Sequence, residues 1–449
     1  MKNEAEGIYK IWLGENMINK KRYIIFGLGR EYKKYEKLIE HLYVVAYVDN
    51  GLAGKKISNG QSVISINKIP EYEFDEIVIT STKYADEMVS QLVEMDSSLE
   101  DKVILLKDIM DRNKILKFLD NELKENKTKL RPARPIRYDA TYYVVAPANA
   151  KSGGPELLHQ LVFELNKLGF QAYIAYVNCG QKKANECIPM EYIQYVGGQV
   201  IKIEDLPDGE TSTIVFPETY CNLLGNFKKS YIYLWWLSVD FMFWNTAPES
   251  IGFIFSNVDM HLYQSYYAKE FLEALEIPSD RMFCLSDYIN DLYIQQDNIG
   301  FASEKNDIVA YNPAKGRLFT QKLIREMPEI EFVAIQNMTN TEVFELLKKS
   351  KVYIDFGNHP GKDRIPREAA MLGCCVITGR RGAAGNDIDV CIPDKYKFDE
   401  SKCDIADICE QIKECLDNYE ENISDFEEYR EKIRTEKSLF EKQVKEIFK

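Results

Sequence analysis

Two stretches of the chain carry residue types suited to holding phosphate. In NPAKG, Lys315 and the N–H of Gly316 stand between an apolar run and the start of a helical pattern. In GNHPGKDRIPREAA, which follows KVYIDF, the residues His359, Lys362, Asp363, Arg364, Arg367 and Glu368 crowd into one loop and helix start. The first N–H groups of a helix lack intrahelical partners and attract anions, and a neighbouring Lys or Arg adds point-charge or forked donors. Because both stretches follow strands of one inferred sheet, they are expected to converge on one diphosphate. Pro366 reads as the first helical residue, which puts Glu368 at the third position. Ile365 stands where a capping box needs Ser or Thr, so Glu368 reads either as a dipole partner or as an acceptor for both hydroxyls of a nucleotide ribose. Arg380 and Arg381, in GRRGAAGND, extend the cationic set toward the phosphates or the sugar, or form a solvated turn. Asp387 and Asp389 have the D-x-D spacing seen at some divalent-cation sites. Two carboxylates are an incomplete shell, and no metal is expected.

Earlier in the chain, YYVVAPANAKSGGPELLHQL runs from a buried strand through Gly153 and Gly154 into a helix, with Pro155 read as its first residue. The two glycines let a ligand or a facing domain approach the backbone, or simply turn the chain. His159, one turn further on, reads as a packed or solvated residue. The runs QAYIAYV, QVIKI, STIVFPETY and SYIYLWWLSVDFMFW alternate with helical patterns, which implies a parallel sheet. Ligands bind such sheets at the carboxyl ends of the strands, where Glu218 and Asp240 stand. Asp240 is a candidate to orient or deprotonate an acceptor hydroxyl, with Glu218 as a second acceptor. The plainer reading of each is a cap or loop hydrogen bond. Trp235 and Trp236 point to opposite faces and read as core. Ser265 reads as an N-cap.

The first quarter contains RYIIFGLGREYKKYEKLIEHLYVVAYVDN, half of a dinucleotide-binding fingerprint: Gly27 and Gly29 for the turn, and Asp49 at the distance of a ribose-binding acid. Tyr32 holds the third glycine position. A working nucleotide site and a module kept for packing or assembly both fit.

These elements sort into three Rossmann-like α/β domains with parallel sheets. The expected boundaries are an N-terminal module over 1–118, a linker over 119–137, and domains over 138–300 and 301–415. A helical tail over 416–449 follows, with Phe440, Val444 and Phe448 packing across two domains. The polar stretch GFASEKND reads as a hinge. A net charge of −14 disfavours a nucleic-acid binder, whose affinity comes from a basic face. Ten cysteines without paired C-x-x-C spacing point to a reducing compartment without structural zinc. Without a run of signal-peptide or membrane-span character, the expected location is cytoplasmic, with peripheral membrane association left open.

Two consecutive α/β domains with phosphate-gripping loops in the second resemble a GT-B glycosyltransferase. The motifs YNPAKG and IDFGNHPGKDRIPREAAMLGC resemble a bacterial family of these enzymes, over roughly Arg137 to Lys449. The N-terminal module loosely resembles nucleotide-binding folds attached to bacterial sugar-modifying enzymes, and offers a surface for homo-oligomers. The wider GT-B group carries an E-x7-E element. Glu368 matches its second acid, which holds the ribose. Its first acid falls on Pro360, so His359 or Asp363 would take over the contact to the transferred sugar. The resemblance also implies that Lys315 grips the diphosphate and that the acceptor binds beside Gly153 and Gly154. The implied activity is hexosyl transfer from a nucleotide-diphosphate sugar, UDP favoured over GDP or dTDP, without a required cofactor. The acceptor would be a hydroxyl of a glycan, glycolipid or protein in bacterial surface glycan or glycoprotein synthesis. The competing classes are an NAD(P)-dependent nucleotide-sugar oxidoreductase or epimerase, and a non-catalytic sugar-binding scaffold. The first lacks a third glycine and an early Tyr-x-x-x-Lys.

Overall fold

Short runs rich in Val, Ile, Tyr and Phe alternate with amphipathic stretches along the chain, and each run becomes a strand of a purely parallel sheet. A computed structural model describes residues 21–39, 42–58, 60–81, 84–109, 131–134, 140–242, 251–294 and 305–449. The chain divides into two units, Met1–Met110 and Asp111–Lys449.

The first unit holds β1 (Arg22–Phe26), β2 (Tyr43–Val48), β3 (Val63–Ile64), β4 (Glu76–Ile79) and β5 (Val103–Leu105), in the order β3-β2-β1-β4-β5. Helices α1 (Arg30–Ile39) and α2 (Ala85–Met95) accompany it. Ile24, Phe26, Ile77, Ile79 and Leu92 form the centre of its core.

The second unit contains two sheets. One comprises β6 (Thr141–Pro147), β7 (Gln171–Val177), β8 (Val200–Lys202), β9 (Ser212–Pro217), β10 (Tyr231–Trp236), β11 (Met260–Tyr263) and β12 (Met282–Cys284), in the order β12-β11-β10-β9-β6-β7-β8. Its helices include α3 (Gly153–Lys167) and α4 (Tyr266–Ala274), the latter capped by Ser265. The other comprises β13 (Asn306–Tyr311), β14 (Glu331–Ala334), β15 (Ser350–Asp355), β16 (Cys375–Gly379) and β17 (Lys397–Phe398), in the order β14-β13-β15-β16-β17. With it go α5 (Arg317–Glu326), α6 (Asn340–Lys349), α7 (Arg364–Met371), α8 (Ile405–Asp417) and the terminal α9 (Glu427–Phe448). Strand order reverses between β6 and β9 and between β13 and β15, the points where parallel sheets open a crevice. Along α9, Tyr429 and Ile433 join the core of the last sheet, while Phe440, Val444 and Phe448 join that of the preceding one.

Two helix starts differ from their sequence reading. Helix α3 begins at Gly153 after Ser152, so Pro155 is its third residue rather than its first. Helix α7 begins at Arg364 after Asp363, which makes Pro366 third and Glu368 fifth. Proline fits both places, because none of the first four N–H groups of a helix has an intrahelical acceptor. Glu368 therefore lies beyond the first turn, where its value as a dipole partner fades. Of the expected linker only Arg131–Arg134 is described, and there Arg131 and Arg134 pair with Asp259 at 3.1 and 2.5 Å. Of the expected hinge, residues 300–304 lie outside the described residues, and Asn306 and Asp307 open β13 instead. No helix among the described residues is long and apolar enough to cross a membrane.

Candidate functional site

A cavity of about 270 Å³ lies within the second unit, where carboxyl ends of strands from both sheets meet. From one sheet come Ser152–Gly154 after β6, Leu237 and Ser238 after β10, Gln264 after β11 and Asp287 after β12. From the other come Asn312 and Lys315 after β13, Asp355 at the end of β15, and Gly361–Ile365 beyond it. The glycines explain how the loops come so close. A Cβ on Gly361 would run into the carbonyl oxygen of Leu237. Beside it the Val239 N–H donates to the Pro360 carbonyl at 2.9 Å, and the Lys362 N–H to Gln264 Oε1 at 3.2 Å. Gly316 has φ 53° and lies against the Phe356 carbonyl, so any other residue would meet both backbone strain and a clash.

The cations of this cleft are met by carboxylates. Lys315 pairs with Asp363, and His359 Nδ1 lies 2.7 Å from the same carboxylate. Burial works against the Lys315 ammonium, but Asp363 and Asp355 outweigh it and hold its pKa above the usual value. Burial likewise opposes ionisation of Asp363, yet Lys315 and His359 hold it well below the usual carboxylate range. Lys362 Nζ lies 2.5 Å from Glu436 on α9 and 3.6 Å from Asp287. Arg367, fully buried, spans Asp287 at 2.5 Å and Glu436 at 2.7 Å. Arg364 crosses to α3, where it meets Glu156 and donates to Gln160 Oε1 at 3.1 Å, passing over Gly153 where a Cβ would crowd its stem. Such pairs can be exchanged for phosphate oxygens, since a forked guanidinium or an ammonium serves either anion.

The structure distributes the sequence candidates over several places. Gly153, Gly154, Lys315, Lys362, Asp363 and Arg364 line the cavity. Gly316 and His359 support it from behind, His359 through a 3.2 Å contact of Nε2 with the Asp355 carbonyl. Glu368 stands one turn beyond Arg364 on α7; its carbonyl accepts the Leu372 N–H at 3.0 Å, and its side chain makes no hydrogen bond among the described residues. Burial pushes its pKa up to about 7 against the partial opposition of Arg364 and Arg367. Asp240, buried, accepts from Tyr267 Oη at 3.2 Å and from the Asn358 amide, so it joins the two sheets beside the cavity. Glu218 accepts the Leu237 N–H at 2.9 Å, and burial raises its pKa to about 7. It anchors the loop whose Leu237 and Ser238 face the cavity. Arg380 turns to the Lys397 carbonyl at 3.1 Å and to Asp394 at 2.9 Å, away from the cavity lining. Asp389 accepts the N–H groups of Tyr266 and Tyr267 at the start of α4, and Asp387 pairs with Lys397 at 2.7 Å. Among the described residues no cluster of three or more His, Cys, Asp or Glu is arranged to hold a metal.

In the first unit, Asp49 accepts the N–H groups of Leu28, Gly51 and Leu52 at 2.8, 2.9 and 3.1 Å. Gly27, at φ 95°, is backed by Thr80 and Met88, whereas Gly29 faces open space. His159 is buried, with Nδ1 2.6 Å from the Pro155 carbonyl and Nε2 2.7 Å from Tyr176 Oη. Burial lowers its pKa to about 4. Trp235 and Trp236 are both fully buried.

Sequence reasoning missed Glu156, Asp287, Asp355 and Glu436. Asp355 had a signal, a carboxylate closing an apolar run. Glu436 had none, since it is one acid among many on a charged helix.

Residues 19–104 match a family model described as C2185-like, N-terminal. No curated protein matches the chain in sequence. Solved structures with a similar fold include an alpha-glucosyltransferase in complex with UDP and a 13-mer DNA containing a mismatch, at 11% identity and TM-score 0.43, covering 67% of this chain and 95% of that one. Anabaena HepE in complex with UDP is similar at 9% identity and TM-score 0.47, covering 68% and 98%. Sucrose-phosphate synthase from Thermosynechococcus elongatus is similar at 11% identity and TM-score 0.46, covering 69% and 98%. Likeness at this level carries no activity or ligand over to this chain.

Proposed function

We propose that the chain is a glycosyltransferase that moves a sugar from a nucleotide-diphosphate sugar to a hydroxyl acceptor. The observation that carries this reading is the cavity itself: carboxyl ends of strands from two parallel sheets face it, with Lys315 and Arg364 on one side and the Gly153 helix start on the other. In this reading Lys315, Arg364 and the start of α7 receive the departing diphosphate, whose negative charge grows as the bond to the sugar breaks. Glu368 accepts the ribose hydroxyls. Asp240, beside the cavity, accepts the proton that the acceptor hydroxyl loses as its oxygen bonds to the sugar carbon. The two sheets close over the reactants and keep out water, which protects the donor from hydrolysis. The acceptor lies on the Gly153 side and is a glycan, glycolipid or protein hydroxyl of bacterial surface glycan or glycoprotein synthesis, met in the cytoplasm. UDP is the preferred nucleotide.

The test is release of nucleoside diphosphate from UDP-glucose and related donors. Glu368→Ala is expected to weaken donor binding and lower kcat/KM at least about tenfold, the order lost with a charge-assisted hydrogen bond to the ribose. Unchanged turnover and donor binding in Glu368→Ala contradict the assignment.

A further inference from the structure

Resting on the nucleotide-sugar reading, we propose that Asp287 and Asp355 are the residues that recognise the hydroxyls of the transferred sugar, one contributed by each sheet. Both line the cavity, and both are only 1% exposed. Each has one carboxylate oxygen engaged and one without a hydrogen bond. Asp287 Oδ2 receives Arg367 Nη2 at 2.5 Å, while its Oδ1 accepts none, with Lys362 Nζ 3.6 Å away. Asp355 Oδ2 receives Tyr353 Oη at 2.8 Å, while its Oδ1 accepts none, with His359 Nε2 3.9 Å away. Buried polar atoms are nearly always paired, so two orphaned oxygens beside one cavity point to donors brought by a ligand.

The chemistry of those donors is restricted. Burial opposes ionisation of both acids. At Asp287, Arg367 and Lys362 overcome it, so its oxygen only accepts and repels phosphate, whereas Asp355, pushed up by burial against His359 and Lys315, accepts from a hydroxyl in either protonation state. A divalent cation is disfavoured by Lys362, Arg364 and Arg367 around Asp287, and by Lys315, whose charge acts on Asp355. A sugar ring carries several O–H donors, and hydroxyl-to-carboxylate bonds are among the stronger ones available. The cleft then divides in two, with cations for the diphosphate and carboxylate oxygens without a hydrogen bond for the ring. Each acid is held from behind by a fixed partner, Arg367 or Tyr353, so its free oxygen is positioned before the ligand arrives.

Titration calorimetry on the full chain tests this, with UDP, GDP, ADP and dTDP as probes, each alone and as its glucose conjugate. Asp355→Asn keeps an acceptor for Tyr353 and so preserves the strand end. It is expected to weaken the glucose conjugate about 10- to 100-fold, as for loss of a charge-assisted bond, and to change the diphosphate alone less than about twofold. Asp287→Asn is expected to act in the same direction. If it unfolds, Asp355→Asn alone carries the test. In the wild type, one deoxyglucose conjugate should lose a similar factor, and Asp355→Asn should then add little. Equal losses for diphosphate and conjugate, or no loss for either, overturn the hydroxyl role while leaving the nucleotide-sugar reading intact. Failure of the wild type to bind any of the diphosphates overturns that reading and this inference with it.

Discussion

The turn after β1 and the loops after β13 and β15 are built from the same parts: a parallel strand, glycines at positive φ, a helix start and an acid at a strand end. They differ in what the acid does. Asp49 spends its oxygens on three backbone N–H groups of its own unit, at Leu28, Gly51 and Leu52. Asp355 uses one oxygen on Tyr353 and leaves the other unpaired beside a cavity. Glycine spacing marks a close backbone turn in both places. What separates a ligand cleft from a self-contained turn is polar capacity left over after the protein has satisfied itself.

Substitutions in the two regions should therefore fail differently. The largest effect is expected from Arg367→Ala, which removes the buried guanidinium spanning Asp287 and Glu436, leaves them only Lys362 as a shared cation, and should cost about 3–5 kcal/mol in urea unfolding read by Trp235 and Trp236. A loss under about 1 kcal/mol contradicts the buried network.

Next is a pH effect at Glu218. Its folded-state pKa, about 7, is raised above the ordinary 4.5, so the fold favours the neutral acid. That contribution, on the order of 3 kcal/mol, is fully present below about pH 4.5 and is lost as pH rises through about 7. Glu218→Gln should flatten the fall of Tm between about pH 5 and pH 8. An unchanged slope would assign that titration to another group.

Asp49→Ala is expected to cost about 1–3 kcal/mol through unpaired N–H groups and to leave nucleotide binding untouched. Gly316→Ala and Gly29→Ala close the series. The first meets φ 53° and the Phe356 carbonyl and should weaken nucleotide binding at least about tenfold, whereas the second enters open space and should shift stability by less than about 0.5 kcal/mol. Equal effects of the two glycine variants break the comparison.

Much of the fold was legible because strand and helix signals are local. Runs such as RYIIF, YYVVAP and KVYIDF carry their own propensity, and parallel order follows from βα alternation. The cleft was legible by half. Lys315, Lys362, Asp363 and Arg364 announced themselves by type and spacing. Their partners did not: Glu156 lies 208 residues from Arg364, and Glu436 lies 69 from Arg367, pairings that only the packing of α3 and α9 creates. For Glu218 the sequence leaves a site acid and a loop hydrogen bond both open, and its carboxylate holds the Leu237 N–H, 19 residues away. The helix starts were displaced because proline tolerates any place in the first turn, not the first alone.

A nucleoside diphosphate is expected to bind at the Lys315 cleft and not at the Gly27 turn. The most direct measurement is titration of UDP, with uridine as control, into the wild type, Lys315→Ala and Asp49→Ala. Lys315→Ala is expected to weaken UDP far more than uridine, while Asp49→Ala changes neither. Loss of UDP binding in Asp49→Ala with Lys315→Ala unaffected, or equal losses of UDP and uridine in Lys315→Ala, would contradict it.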